Sequence, residues 1–152
     1  MNYESFIENK IIVAENYGFK VKRNHLSEVL LDHQKDIVKW SLEGGRRACF
    51  ASFGLGKTVM QLEIAKQVIL KTNMPFLIGL PLGVIGEFKR DNELLKSGIE
   101  IKYITDTDSV GILKPIIYLT NYERIRKGDS DASKFGGVSF DEASVLRNLK
   151  TE

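Results

Sequence analysis

The feature that most constrains this chain is an apolar segment, residues 47–51, that leads directly into the sequence Ser-Phe-Gly-Leu-Gly-Lys-Thr at positions 52–58. Counted from Ala51, the spacing fits the phosphate-loop pattern G-x-x-x-x-G-K-[ST], with alanine in place of the first glycine. Gly54 and Gly56 let the backbone turn tightly, so that consecutive N–H groups can point at phosphate oxygens. The segment therefore predicts a strand, a phosphate-binding loop and a helix in succession.

The side chains of this loop indicate how a nucleotide would be held. Lys57 opens the predicted helix, where the positive end of the helix dipole adds to its own charge, and its ammonium should reach the β- and γ-phosphates. The Thr58 hydroxyl is the expected Mg²⁺ ligand, and Phe53 and Leu55 complete the loop around the phosphates. The alternative is a tightly packed corner between a strand and a helix, with a solvated lysine. The register of glycine, lysine and threonine after an apolar run favours the phosphate site.

The size and composition of the chain indicate one globular unit. It has 152 residues, of which 43% are hydrophobic, and its net charge of +2 allows contact with nucleic acid without arguing for it. The single cysteine, Cys49, is expected to be a small buried hydrophobe, and the lack of a second cysteine fits a reducing compartment. The N-terminal sequence lacks a signal-peptide pattern and no apolar run is as long as a membrane span. We expect no membrane contact and a cytoplasmic location.

Hydrophobic periodicity predicts an alternation of helices and strands. The helical pattern covers residues 3–16, 31–42, 57–71 and 84–96, and the strand pattern covers residues 47–51, 76–80, 101–104, 115–119 and 138–140. Strands that alternate with helices imply parallel crossovers. The predicted fold class is therefore α/β, with a mostly parallel sheet and helices on both faces.

An acidic pair follows the last predicted strand. A carboxylate at the carboxyl end of a strand lies at the sheet edge where open α/β sheets bind ligands. There Asp141 could hold Mg²⁺ and Glu142 could orient or deprotonate a water molecule. The alternative is a pair of acids that begins a last helix. The presence of a phosphate-loop pattern upstream favours the catalytic interpretation.

Together, residues 53–58 and the Asp-Glu-Ala-Ser sequence at 141–144 resemble motifs I and II of superfamily-two helicases and translocases, the DEAD/DEAH-like and Swi2/Snf2-like enzymes. The similarity is closest to phage- and prophage-borne helicases in which an aromatic-Gln-Lys-Asp-Ile-Val segment precedes Gly-Leu-Gly-Lys-Thr. Here Gln34 occupies the glutamine position of that segment. The resemblance implies a RecA-like ATP-binding domain that uses ATP and Mg²⁺, with Gln34 at the adenine edge. A glutamine on the helix surface is the alternative.

Two further segments resemble family loops that face the nucleic-acid backbone. Residues 81–85 are similar to motif Ia, and residues 119–125 are similar to the Thr-Asn-Tyr-Glu segment before motif II. The resemblance implies a nucleic-acid partner, DNA in preference to RNA. The implied contact residues are Pro81, Gly83, Thr120, Asn121 and Arg124.

The resemblance also implies how much of the enzyme these residues form. We expect residues 1–45 to be an N-terminal helical segment and residues 46–152 to be the RecA-like core, and motif III and the second RecA-like domain have no counterpart in the sequence. Because the motif III strand lies between the motif I and motif II strands in the family, segments 47–51 and 138–140 are expected to pair directly, or to be covered by a second copy in a homo-oligomer. Little hydrolysis by the chain alone is expected.

Two other functions fit a phosphate loop in a chain of this size. One is a self-contained phosphate-loop enzyme such as a small nucleotide kinase, although the sequence offers no basic lid and no second-substrate pocket. The other is a non-catalytic binding module that keeps the loop as structure. Nucleotide titration separates the enzymes from the binding module, and phosphoryl transfer to a nucleoside monophosphate identifies a kinase.

Overall fold

The computed structural model of the chain describes residues 15–108, 110–111, 115–128 and 131–142. The helix predicted over residues 3–16 falls almost entirely outside this part of the chain. The described residues form helices and strands that alternate except where α1 is followed by α2 and β2 by β3, with short 3₁₀ turns between some of them. In chain order they are α1 (Asp32–Gly44), α2 (Lys57–Thr72), β1 (Phe76–Gly79), α3 (Ile85–Leu95), β2 (Glu100–Tyr103), β3 (Ile116–Thr120), α4 (Tyr122–Arg126) and β4 (Gly137–Phe140).

The four strands form one parallel sheet in the order β2-β3-β1-β4. Strands β1 and β3 occupy the centre, and every residue of both is buried. Fully buried central strands with continuous apolar runs are typical of sheets covered on both faces. The predicted α/β class with a parallel sheet is confirmed, and four of the five predicted strands are present within a residue or two of their expected bounds.

Two apolar clusters lie on the opposite faces of the sheet because successive strand residues point to opposite sides. On the first face, Phe76 and Ile78 pack with Ile117, Leu119 and the buried residues of α1, α2 and α3. On the second face, a smaller cluster joins the strands to the loops that follow β2 and precede β4. Its members are Leu77, Ile104, Val110, Ile116, Tyr118 and Phe135. The larger core therefore lies under the three long helices.

The predicted strand over residues 47–51 is wrong. This segment joins no strand of the sheet, its cysteine is exposed, and the Phe50 side chain is 98% exposed. Strand β4 pairs only with β1, through the register Gly79↔Phe140, so the expected direct pairing between 47–51 and 138–140 is also wrong. A strand is stable only where another strand satisfies its backbone, and among the described residues none lies beside this segment. The expectation that Cys49 is buried fails for the same reason.

Helix α1 begins and ends close to its predicted bounds, but it turns a different face to the core. The sequence predicts Ile37, Trp40 and Ser41 on one face, whereas the buried positions include Gln34, Val38 and Leu42 at helical spacing. Trp40 is 48% exposed and lies under the guanidinium of Arg47, which is 5.4 Å from the ring centroid. The predicted glycine cap is confirmed at Gly45, which has a φ of 70°.

A buried ionic contact fixes the segment before α1 against α2. Glu63 is fully buried, and its carboxylate lies 2.7 Å from the Lys66 ammonium. The same carboxylate accepts hydrogen bonds from Gln67 Nε2 at 2.8 Å and from the Ser27 backbone N–H at 3.3 Å. Since residues 27–31 lead into α1, this contact helps to set where α1 lies on α2.

No helix within residues 15–142, as far as they are described, is long and apolar enough to cross a membrane.

Candidate functional site

The predicted phosphate loop lies at the N-terminal end of α2. Gly54 and Gly56 have φ values of 80° and 74°, a backbone region in which side chains are strained. The first backbone bond of the helix runs from Met60 N–H to the Gly56 carbonyl at 3.1 Å, and no side chain caps this end. The N–H groups of the first helical turn therefore have no partner within the helix and are directed toward the loop.

Gln34 on α1 contacts this loop directly. Its Nε2 donates to the Leu55 carbonyl at 3.0 Å, and its Oε1 accepts from the Leu31 backbone N–H at 2.9 Å. A Cβ placed on Gly56 would lie 2.4 Å from Gln34 Nε2. Gln34 is 7% exposed, so the alternative of a surface glutamine is wrong. The side chain instead holds α1 against the loop.

The loop and the end of β4 meet across the carboxyl edge of the sheet. Lys57 Nζ lies 3.8 Å from a carboxylate oxygen of Glu142, and the Lys57 side chain is 36% exposed. Thr58 Oγ1 donates to Glu87 Oε1 at 3.5 Å. Residues that are far apart in sequence thus converge beside the open end of α2. Glu87 is not predicted as a site residue from the sequence, because an acid in the first turn of a helix has an ordinary local explanation.

Asp141 is held by its backbone at this edge. Its N–H donates to the Gly79 carbonyl at 2.9 Å, which continues the β1–β4 ladder by one bond. Burial, followed by the charge of Glu142, raises the pKa of the Asp141 carboxyl, and Lys57 opposes this increase in part. Glu87 adds to the increase. At this edge of the sheet, the charge of Lys57 does not neutralise the three acids Asp141, Glu142 and Glu87.

A tyrosine that the sequence analysis did not single out as a site residue also lies here. Tyr122 is the first residue of α4, and its ring stacks on Phe140 with the centroids 6.3 Å apart and an interplanar angle of 23°. Burial raises the pKa of the Tyr122 hydroxyl to about 12, with further contributions from Asp141 and Glu142. No local sequence signal distinguishes this tyrosine from one that only packs.

The candidate nucleic-acid residues divide into two groups. Thr120 and Asn121 are buried, and Asn121 Oδ1 accepts from the Arg124 backbone N–H at 3.1 Å, which caps α4. Pro81 and Arg124 are half-buried, and Gly83 is exposed on the 3₁₀ turn before α3. Contact with a nucleic-acid backbone would therefore fall to these last three residues.

The residues present fit a nucleotide with Mg²⁺. The open N-terminal end of α2 and Lys57 supply donors for phosphate, while Thr58 and Asp141 supply hard oxygen ligands. Among the described residues, no group of three or more histidine, cysteine or acidic side chains is arranged to hold a metal by itself. Mg²⁺ commonly binds through one or two carboxylates together with substrate phosphates and water, so this sparse ligand set suits it.

Comparison with solved structures identifies the fold. The chain is similar to the Sulfolobus solfataricus SWI2/SNF2 ATPase core in complex with dsDNA, with a TM-score of 0.63 and 20% identity over 90% of this chain. It is also similar to the UvsW helicase from bacteriophage T4, with a TM-score of 0.61 and 17% identity over 95% of this chain. A second structure of the Sulfolobus solfataricus SWI2/SNF2 ATPase core domain gives a TM-score of 0.59 and 18% identity over 84% of this chain.

At these identities the likeness shows the fold, which is a RecA-like α/β domain of the kind found in helicase and SWI2/SNF2 ATPase cores. No protein-family model and no curated protein matches the chain. The chain spans 29%, 52% and 30% of the three solved chains, so it corresponds to between about a third and a half of their length.

Proposed function

We propose that this chain is an ATP-binding RecA-like domain of a superfamily-two helicase or translocase. The observation that carries the proposal is the meeting of the phosphate loop with the acidic end of β4, where Lys57 and Glu142 approach to 3.8 Å. The two elements are separated by more than 80 residues of sequence, and the parallel sheet brings them to one edge. A loop kept only as structure would not need an acidic pair beside it.

Each residue of this edge has a distinct expected role. The N–H groups at the start of α2 and the Lys57 ammonium bind phosphate oxygens, whereas Thr58 and Asp141 hold Mg²⁺, which supplies charge neutralisation when it is bound. Glu142 accepts a proton from, or orients, an attacking water. Gln34 still has one N–H and one lone pair beyond its two bonds, enough to meet the edge of an adenine.

We expect ATP hydrolysis by residues 1–152 alone to be slow. In phosphoryl transfer, an arginine finger typically contributes about 10³–10⁵ in rate. The resemblance to superfamily-two enzymes places that arginine in a second RecA-like domain. We therefore expect the chain to bind ATP but to hydrolyse it slowly.

Nucleic acid is the proposed macromolecular partner, and DNA is favoured because one solved relative was captured with dsDNA. Of the contact residues that the resemblance implies, Pro81, Gly83 and Arg124 are at least partly exposed. Few phosphate contacts imply weak binding, and because these contacts are to phosphates the affinity should fall as salt rises. Affinity that is independent of salt, measured by fluorescence anisotropy with labelled oligonucleotides, would contradict a contact through the phosphate backbone.

Thermal denaturation with Mg-ATP tests the nucleotide site. Ligand at about 100 times its Kd stabilises a protein by about 2.7 kcal/mol, which raises the melting temperature by several degrees. Lys57→Ala should remove most of this increase, because loss of a charged hydrogen bond costs about 1.5–3 kcal/mol. Without nucleotide the variant should melt close to wild type, since the Lys57 side chain is 36% exposed.

The matched control is Lys89→Ala, which removes an exposed lysine from α3 outside the site. It should respond to Mg-ATP as wild type does. An equal response in Lys57→Ala and wild type would show that the phosphate loop does not bind the nucleotide. Rapid phosphoryl transfer to a nucleoside monophosphate would instead identify a small nucleotide kinase.

A further inference from the structure

The Tyr122 hydroxyl is shielded from solvent and has no hydrogen-bond partner among the described residues. A buried donor without a partner costs about 1–3 kcal/mol, so such groups are few in native proteins and each calls for an explanation. The residue as a whole is partly buried, and its ring stacks on Phe140. The unsatisfied atom is therefore the hydroxyl alone.

The fold brings the Tyr122 ring to Phe140, the last residue of β4, by a specific route. Phe140 and Ile125 both cross above Gly79, where a Cβ would lie 2.8 Å from each of their side chains. The absence of a side chain at Gly79 lets α4 and the end of β4 come together over β1. Phe140 is followed directly by Asp141, whose N–H bonds to that same glycine at 2.9 Å.

We propose that Tyr122 is a positioning residue that donates its hydroxyl hydrogen bond to Asp141 when a Mg-nucleotide is bound. This inference rests on the proposed function of the site. The stacking of Tyr122 on Phe140 places the phenol beside the residue that precedes Asp141, and the charges of Asp141 and Glu142 add to the effect of burial in raising the Tyr122 pKa. The phenol is a donor that lacks an acceptor, and the ionised carboxylate has acceptor capacity to spare.

The bond would act through the carboxylate and not on the substrate. A carboxylate that holds a metal is commonly oriented by an outer hydrogen bond, and removal of such a partner typically weakens metal binding by about 10–100-fold. Tyr122 also begins α4, the element that carries Arg124. The same bond therefore links the segment proposed to face nucleic acid with the metal-binding carboxylate.

The test compares Tyr122→Phe with wild type and with Tyr118→Phe. Phenylalanine at position 122 keeps the ring that stacks on Phe140 and removes only the hydroxyl. Tyr118 is a buried tyrosine of the second-face cluster that packs edge-on against Phe135 at 6.1 Å. It serves as the control for loss of a tyrosine hydroxyl away from the site.

Two measurements are made on each protein. Thermal melting in EDTA reports the stability of the ligand-free chain. Fluorescence titration with a labelled, non-hydrolysable ATP analogue, at increasing Mg²⁺ concentration, reports how strongly binding depends on the metal. Tyr122→Phe should melt at or above the wild-type temperature in EDTA, because it removes an unsatisfied donor. Its midpoint for Mg²⁺ should rise about 10-fold, with nucleotide binding in EDTA unchanged.

Three results would overturn the inference. If wild type binds with a clear Mg²⁺ dependence and Tyr122→Phe shows the same midpoint, the proposed function stands and Tyr122 does not position Asp141. If Tyr122→Phe melts lower and loses affinity equally with and without Mg²⁺, its role is structural. If wild type binds no nucleotide at any Mg²⁺ concentration, the proposed function is wrong and the inference falls with it. Tyr118→Phe should leave the Mg²⁺ midpoint at its wild-type value.

Discussion

Replacement of Gly56 by alanine tests how tightly α1 and the phosphate loop are joined. Gly56 has a φ of 74°, and a Cβ there would lie 2.4 Å from Gln34 Nε2. Gln34 cannot easily move aside, because it is buried and hydrogen-bonded to both Leu31 and Leu55. The new methyl group must therefore break at least the bond from Gln34 to the loop.

Gly54 provides the matched control. Its φ is 80°, but a Cβ there would meet nothing within 4 Å. An alanine in the left-handed region costs roughly 1–2 kcal/mol, so Gly54→Ala should lower the free energy of unfolding by that amount. Gly56→Ala should lose a further ~1 kcal/mol for the broken hydrogen bond, for a total of about 2–3 kcal/mol.

Urea denaturation of the ligand-free chain measures both costs, provided that the m-value is unchanged. In a Gln34→Ala background the obstacle is absent, so Gly56→Ala should then cost no more than Gly54→Ala. That difference is a coupling energy of about 1 kcal/mol, within the range for residues in contact. Equal costs for Gly54→Ala and Gly56→Ala in the wild-type background would refute the contact between Gln34 and the loop.

Three other variants test the electrostatics. The pKa of Asp141 in the folded chain is raised above its ordinary value of 3.8, so above pH 3.8 the native state binds more protons than the unfolded state. The free energy of unfolding should therefore fall as the pH rises from 3.8 through the folded-state pKa. Asp141→Asn should remove this loss of stability, as measured by chemical denaturation in EDTA. Asp131 behaves in the opposite way, because hydrogen bonds from Ser133 lower its pKa. Asp131→Asn should therefore remove stability that is present at neutral pH and lost in acid. Glu63→Ala should lower the free energy of unfolding in urea by about 3 kcal/mol, because the Lys66 ammonium, which is 14% exposed, loses its carboxylate partner. A decrease below about 1 kcal/mol would show that this buried pair contributes little.

Local sequence signals were sufficient where one element decides its own structure. The apolar run at β1, the glycine cap at Gly45 and the positive φ values of the loop glycines all follow from residues within a few positions. The fold class follows from the alternation of such elements. The same reasoning failed at residues 47–51, where an apolar run of strand length has no strand beside it among the residues that the structure describes. Strand formation depends on a partner that the segment itself does not encode.

The candidate site could likewise be predicted only in part from local sequence. The glycine, lysine and threonine pattern and the acidic pair could be identified from sequence, and the structure places Lys57 beside Glu142. Glu87 and Tyr122 could not, because each acquires its place only when α3 and α4 pack at the sheet edge. Gln34 was identified through resemblance, but its hydrogen bond to the Leu55 carbonyl forms only when α1 packs against the loop.

Phosphorus NMR of Mg-ATP tests the central claim most directly, because it observes the phosphates themselves. Addition of the wild-type chain should shift or broaden the β- and γ-phosphate resonances, and EDTA should reduce the effect. Lys57→Ala should leave these resonances close to their free positions at the same protein concentration. Resonances that are unchanged with excess wild-type chain, or changed equally by Lys57→Ala, would contradict a nucleotide site at the phosphate loop.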